Sequence, residues 1–273
     1  MVDSQTYSAP LRVFWWKAVP NFGDALSAVV TAHVSGRVVE HANPGKCELF
    51  AIGSVLKVAR RKLKTARRDG VKPWIWGSGL MAPVSPEFLD HAQVALLRGP
   101  VTAALLGLEM DQFGDPGLLA VDAVGPAPER HDRIGIVPHH RHVDDPDLVE
   151  LIASDPALEL IDVRADVTRV CHQIASCRHV FASSLHGLIV ADSYGVPNTW
   201  MDPISQSRLK YLDYAASVGR DMSVPVQLED IPARLKTLTD TPLPYRDGIA
   251  RARQSLLSSF PDALRAVPTK AVA

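Results

Sequence analysis

The 273-residue sequence predicts an α/β fold built as two doubly wound units, on three observations. Short runs rich in β-branched and aromatic residues alternate with amphipathic stretches of helical period, the pattern of parallel strands joined by crossover helices. The alternation stops in the Pro-rich, charged stretch "VGPAPERHD" (124–132) and then starts again. Hydrophobic residues make up 47% of the chain, enough to cover a sheet on both faces.

In the first half the expected strands are "RVFWW" (12–16), "RVVEH" (37–41), "LFAIG" (49–53), "WIWG" (74–77) and "VALLR" (94–98). Helices are expected to begin near Asp24, Val55 and Pro100, the last a proline suited to a first helical turn. In the second half "IGIVP" (134–138), "LELIDV" (158–163), "HVFASS" (179–184) and "NTWM" (198–201) read as strands, with helices near 146–154, 166–176 and 185–194. The stretch 124–132 reads as a linker, giving domains 1–126 and 127–273, with the last helix packing back on the first domain. No repeat of 20–50 residues is visible.

Composition narrows the function classes. A net charge of −1 excludes a generally basic nucleic-acid binder. Cys47, Cys171 and Cys177 form neither an even set nor a metal-type pair, so disulfides and zinc are not expected. No apolar run approaches the roughly 20 residues of a membrane span, and "MVDSQTYSAP" has no signal-like core, so the expectation is a cytoplasmic protein. The run "KVARRKLKTARRDGVK" (57–72) carries eight basic residues against Asp69 at a spacing that suits a helix. It reads either as a solvated face or as a peripheral contact with anionic lipid or a lipid-linked substrate. Without interleaved aromatics it does not read as a nucleic-acid site.

Ligands of open parallel sheets bind beyond the carboxyl ends of the strands, so loops directly after strands are the informative ones. In "VFASSLHG", Ser183 or Ser184 is placed to cap a helix, leaving the N–H groups of Leu185, His186 and Gly187 at its positive end. That end binds anions, Gly187 permits close approach, and His186 can donate, carry charge or transfer a proton. After the first strand, Asn21 and Gly23 suit a tight turn and Asp24 is a candidate helix cap or base for a hydroxyl. Gly77, Ser78 and Gly79 read as a loop that admits a ligand to the backbone; Pro83 and Pro86 follow too soon for a dinucleotide fingerprint. Arg98 stands at a strand end, where a guanidinium can grip carboxylate or phosphate. His139, His140, Arg141 and His142 read as an anion-binding or a solvated loop rather than a metal site. "FGDPGLLA" (113–120) reads as a closing turn. There is no Gly-x-Ser-x-Gly elbow or Walker loop.

Taken in order, "NFGDAL", "GSGL" after a Trp-rich strand, "LLRGPVTAALLG", "FGDPGLL" and "SSLHGLIVADSYGVP" resemble the polysaccharide pyruvyl transferase family over residues 13 to about 201. The resemblance implies two Rossmann-like domains facing a cleft, as in GT-B glycosyltransferases. It also implies phosphoenolpyruvate as donor, no cofactor or metal, and a sugar of a lipid-linked exopolysaccharide unit as acceptor of a pyruvate ketal. His186 and Arg98 would correspond to donor contacts. Many members carry arginine where this chain has Ser184, which leaves Arg141 or His140 to replace it. The reading assigns His186 as acid and Asp24 as base. It places donor or acceptor contacts at Arg98, Ser184, Leu185, Gly187, His139, His140, Arg141, Asn21, Gly23, Gly77, Ser78 and Gly79. The alternatives are a GT-B glycosyltransferase using a nucleotide sugar, or a non-catalytic anion- or sugar-binding protein.

Overall fold

A computed structural model describes residues 9–222, 224–239 and 241–267, so most of "MVDSQTYSAP" lies outside the described residues. The first half runs β1 (Leu11–Phe14), α1 (Phe22–Ser35), β2 (Val39–His41), β3 (Leu49–Phe50), α2 (Leu56–Lys62), β4 (Trp74–Ser78), β5 (Gln93–Leu97), α3 (Pro100–Leu106) and α4 (Ala120–Val124). The second half runs β6 (Ile134–Val137), α5 (Pro146–Ser154), β7 (Leu158–Leu160), α6 (Val167–Ser176), β8 (His179–Ala182), α7 (Leu185–Ser193), β9 (Asn198–Trp200), α8 (Leu209–Val218), α9 (Ile231–Leu235) and α10 (Arg246–Ser259).

All strand pairs are parallel, in a five-stranded sheet ordered β2-β1-β3-β4-β5 and a four-stranded sheet ordered β7-β6-β8-β9. The strand order reverses between β1 and β3 and between β6 and β8. Loops leaving those strands therefore part in opposite directions and open a crevice at each carboxyl edge. The loops at those edges carry Asn21 and Ser54 in one half and His139 and Ser184 in the other, with Asp24 and His186 in the first turns of the helices that follow.

One apolar core continues through both sheets: Leu11, Val13 and Leu26 belong to the same cluster as Val137, Ile189 and Leu256. Phe22 N–H also donates to Val163 O at 2.8 Å, tying the start of α1 to the loop after β7. Helix α10 returns to β4 and β5, where Trp76 Nε1–H donates to Leu256 O at 3.1 Å and its ring meets Phe260 edge-on.

Several expectations need correction. The basic run is helical only to Lys62, because Gly70 and Pro73 oppose continuation and its last part is held as a turn by Arg67 and Asp69. The third and seventh strands end at Phe50 and Leu160, short of the expected 53 and 163. Asn21, not Asp24, caps α1: its Oδ1 accepts Gly23 N–H at 3.2 Å, while Asp24 sits in the first turn.

Candidate active site

The start of α7 is built as its sequence dictates. Ser184 is extended and its Oγ accepts Gly187 N–H at 3.3 Å, and no other described residue accepts from the Leu185 and His186 amides. Ser183 Oγ meanwhile accepts from His139 N–H at 3.0 Å, joining the loop after β6 to the turn after β8. Gly187 does not open space for a ligand. Its missing Cβ lets α7 lie on β6, since a Cβ there would stand 2.7 Å from Val137 Cγ1. Leu185 is 4% exposed and contributes apolar packing together with its free amide.

His186 is 9% exposed and packs where the two halves meet. A Cβ on Gly23 would overlap its ring, so "NFGD" and "LHG", 163 positions apart, are in contact through the bare backbone of one glycine. Burial first, then the charges of Lys210 and Arg98, lower the His186 pKa to about 3, so the resting imidazole is neutral. Its buried Nε2 has no hydrogen-bond partner among the described residues.

Asp24 is held by Asn21 Nδ2–H at 2.9 Å, and a Cβ on Gly53 would lie 3.5 Å from its Oδ1. Burial raises its pKa to about 6, against the opposing pulls of the Asn21 hydrogen bond and Lys210. Lys210, on α8, is 9% exposed and has no acceptor among the described residues; its Nζ stands 5.1 Å from the Tyr211 ring centroid. Burial and the Arg98 charge lower its pKa to about 8, while Asp24 raises it. The same ammonium acts on His139, pushed down to about 3 chiefly by burial, and on His140, also pushed down. A buried cation lacking a protein counter-ion in direct contact is costly and is retained where something anionic visits.

Other expected contacts are placed differently. Arg98 is fully buried and does not point at open space: it donates Nε–H to Asp213 Oδ2 at 2.9 Å, an Nη1 hydrogen to Ser54 Oγ at 2.9 Å and an Nη2 hydrogen to Leu80 O at 2.8 Å. Gly77, Ser78 and Gly79 do not cradle a ligand either. Gly77, at φ +76°, lies against Pro116 and 2.8 Å from Gly114 O in Cβ terms; Ser78 Oγ–H donates to Gly53 O at 2.7 Å; Gly79 leaves room for the Arg98 guanidinium. Arg141 is exposed, next to the half-buried His139 and His140. The turn at 113–120 closes as expected, with Asp115 Oδ1 accepting Gly117 N–H at 2.9 Å. Among the described residues no group of three His, Cys, Asp or Glu side chains is arranged to hold a metal ion.

Lys210 and Asp213 were missed because they lie inside a helix far from any strand end. The available signal was a pair of charges three apart, hence on one face, each followed by a tyrosine (Tyr211 and Tyr214), on a helix that buries all four residues.

The polysaccharide pyruvyl transferase family model matches residues 61–205, which include Arg98, the histidine loop and α7. The succinoglycan biosynthesis protein ExoV of Rhizobium meliloti (strain 1021) is 27% identical over 236 residues, covering 79% of this chain and 68% of that protein. An uncharacterized protein of Acanthamoeba polyphaga mimivirus is 34% identical over 159 residues, or 53% of this chain, which spans 54% of that protein's length. A crystal structure of a Klebsiella pneumoniae protein of uncharacterized function superposes with a TM-score of 0.49 at 14% identity, over 76% of this chain and 87% of that one. The family match spans more than half of the 273 residues, and on it the chain belongs to the polysaccharide pyruvyl transferase family.

Proposed function

We propose that the chain transfers pyruvate from phosphoenolpyruvate to two hydroxyls of a sugar in a lipid-linked exopolysaccharide unit, forming a cyclic ketal. In this reading residues 1–126 form the acceptor lobe and 127–273 the donor lobe, meeting as in GT-B enzymes, and no cofactor takes part. The observation that carries it is the buried Lys210 ammonium, with no acceptor of its own among the described residues, whose charge acts on both the Asp24 carboxylate and the neutral His186. Family membership supplies the reaction class.

The donor's carboxylate and phosphate together carry about three negative charges. Lys210 and the free amides of Leu185 and His186 supply the positive counterpart, with His139, His140 and Arg141 at the outer edge. A trianion beside His186 raises its pKa from the empty-site value, so the ring takes up a proton from solvent as the donor binds. His186 then gives that proton to the methylene carbon, and the double-bond electrons form the new C–H bond, leaving an oxocarbenium at C2. A sugar hydroxyl attacks C2 as Asp24 takes its proton. The C2–O bond to phosphate breaks, phosphate leaving with the electron pair and the Asp24 proton. The second hydroxyl closes the ketal and returns its proton to His186.

Thermal-shift titration tests the donor: phosphoenolpyruvate should raise Tm while UDP and GDP do not, and no shift with phosphoenolpyruvate would sink the assignment. His186→Ala should lower kcat about 10²- to 10⁴-fold at nearly unchanged Tm, the contribution of a positioned acid. In this reading the basic run 57–72 meets anionic lipid beside the acceptor's lipid carrier, at the inner face of the cell membrane. No helix among the described residues is long and apolar enough to cross a membrane.

A further inference from the structure

Helix α8 is fastened to both sheets around Lys210. On one side Tyr211 O–H donates to Ser183 O at 2.5 Å, immediately before α7. On the other, Asp213 enters a socket in the first half. Its Oδ2 accepts from Arg98 Nε–H at 2.9 Å and Thr102 Oγ1–H at 2.7 Å, and its Oδ1 accepts Thr102 N–H at 2.8 Å. Two glycines of the family-like motifs make the socket: a Cβ on Gly99 would overlap the Asp213 backbone carbonyl, and one on Gly79 would overlap the Arg98 guanidinium. Arg98 and Asp213 are both 0% exposed, so neither can touch a ligand in the crevice.

We propose that Asp213 is a positioning residue: paired with Arg98, it seats α8 against the first half of the chain and so holds the Lys210 ammonium within electrostatic reach of Asp24 and His186. The inference rests on the reading of Lys210 as an anion contact. A pair that served packing alone could be apolar, and a buried ion pair is weak evidence for stability. Here it carries a second consequence. Lys210 faces the Arg98 guanidinium from the end of β5, Asp24 from α1, His186 from α7, His139 and His140 from the loop after β6, and the Tyr211 ring on its own helix. Asp213 offsets the guanidinium, the one charge among these that pulls the Lys210 titration down, and thereby keeps Lys210 protonated.

The test titrates Lys210 in the full chain labelled with [ε-¹³C]lysine, its resonance assigned by loss in Lys210→Arg. Asp213→Asn leaves the guanidinium uncompensated, and the Lys210 midpoint should fall by about one pH unit. Arg98→Gln removes the repulsion, and the midpoint should rise by a comparable amount. Opposite shifts from the two ends of one pair are what a packing role does not produce. Midpoints equal to wild type in folded variants, with only Tm lowered, overturn the proposal. Should Asp213→Asn fail to fold, Arg98→Gln decides alone: an upward shift supports the seat and an unchanged or lower midpoint overturns it. No donor is present in this titration, so a missing phosphoenolpyruvate thermal shift would fall on the reading of the site and unequal or equal midpoints on the seat.

Discussion

Asp24 and Lys210 are displaced toward each other in pH, and the displacement sets a working window. Burial raises the carboxyl to about 6 and lowers the ammonium to about 8. The base must be ionised and the cation protonated, so activity should be lost as pH falls through 6 and again as it rises through 8. The kcat/KM profile of the free enzyme should therefore be a bell with limbs near those values. The donor phosphate titrates close to the acid limb, which leaves the alkaline limb as the clean reporter. Lys210→Arg keeps the charge on a group that does not deprotonate in this range, so the retained activity should no longer decline near pH 8. An alkaline limb at the same pH in that variant would remove Lys210 from the site. At this scale the sequence pointed to Asn21, Asp24 and His186 through the loops after β1 and β8, in turns that the structure brings into contact. It concealed Lys210 and misassigned Arg98, because whether a strand-end arginine faces a ligand or a buried carboxylate depends on a residue 115 positions away.

Elements were legible where local chemistry decides them. The helices starting at Pro100 and Pro146 and the cap at Ser184 follow from proline at a first turn and serine before an apolar helix. Strands shorter than expected, such as Leu49–Phe50, end where the chain must turn at Gly53, a φ of +101° that strand geometry does not allow. What periodicity could not convey is how closely two elements approach. The first turn of α1 touches the first turn of α7 through Gly23, whose φ is not positive, so its need for glycine is purely steric. Gly23→Ala should cost about 1–3 kcal/mol of stability, as overpacking does. It should also lower kcat by about 10²-fold if His186 is the proposed acid, because the ring is displaced from the position that role requires. Gly135→Ala, which would crowd Ile161 and Cys177 inside β6, supplies a comparison of similar steric cost away from Asp24. Equal kcat in the two variants at equal Tm loss would mean that the Gly23–His186 contact only packs.

At the scale of the whole molecule, the two-sheet plan followed from the double strand–helix alternation, whereas the continuity of the core did not. Contacts such as Trp76 with Leu256 and Val121 N–H with Ser193 Oγ join segments 180 and 72 residues apart, and no periodicity encodes them. Charge distribution, by contrast, survives from sequence to surface. Lys57, Arg60, Arg61, Lys62, Lys64, Arg68 and Lys72 are all exposed, while Leu56, Ala59 and Leu63 of the same stretch are buried. The nearby acid, Asp69, is engaged by Arg67, whose Nε–H bond to it is 3.0 Å, so it offsets little of that field. Helix α2 starts two residues after Ser54, which meets Arg98, so the basic face adjoins the same end of the sheet as the crevice. A surface of this kind gains about 1 kcal/mol per cation near an anionic leaflet and loses most of it beyond a Debye length of about 8 Å. The chain should therefore sediment with phosphatidylserine-containing vesicles at low salt, stay in solution with phosphatidylcholine alone, and dissociate as salt is raised. Lys57→Glu/Arg60→Glu/Arg61→Glu should abolish that binding while leaving Tm and the phosphoenolpyruvate thermal shift as in wild type, since all three side chains are exposed and none enters the crevice. Unchanged sedimentation of the triple variant would reduce the basic run to a solvated helix face and leave the proposed lipid-linked acceptor without this contact.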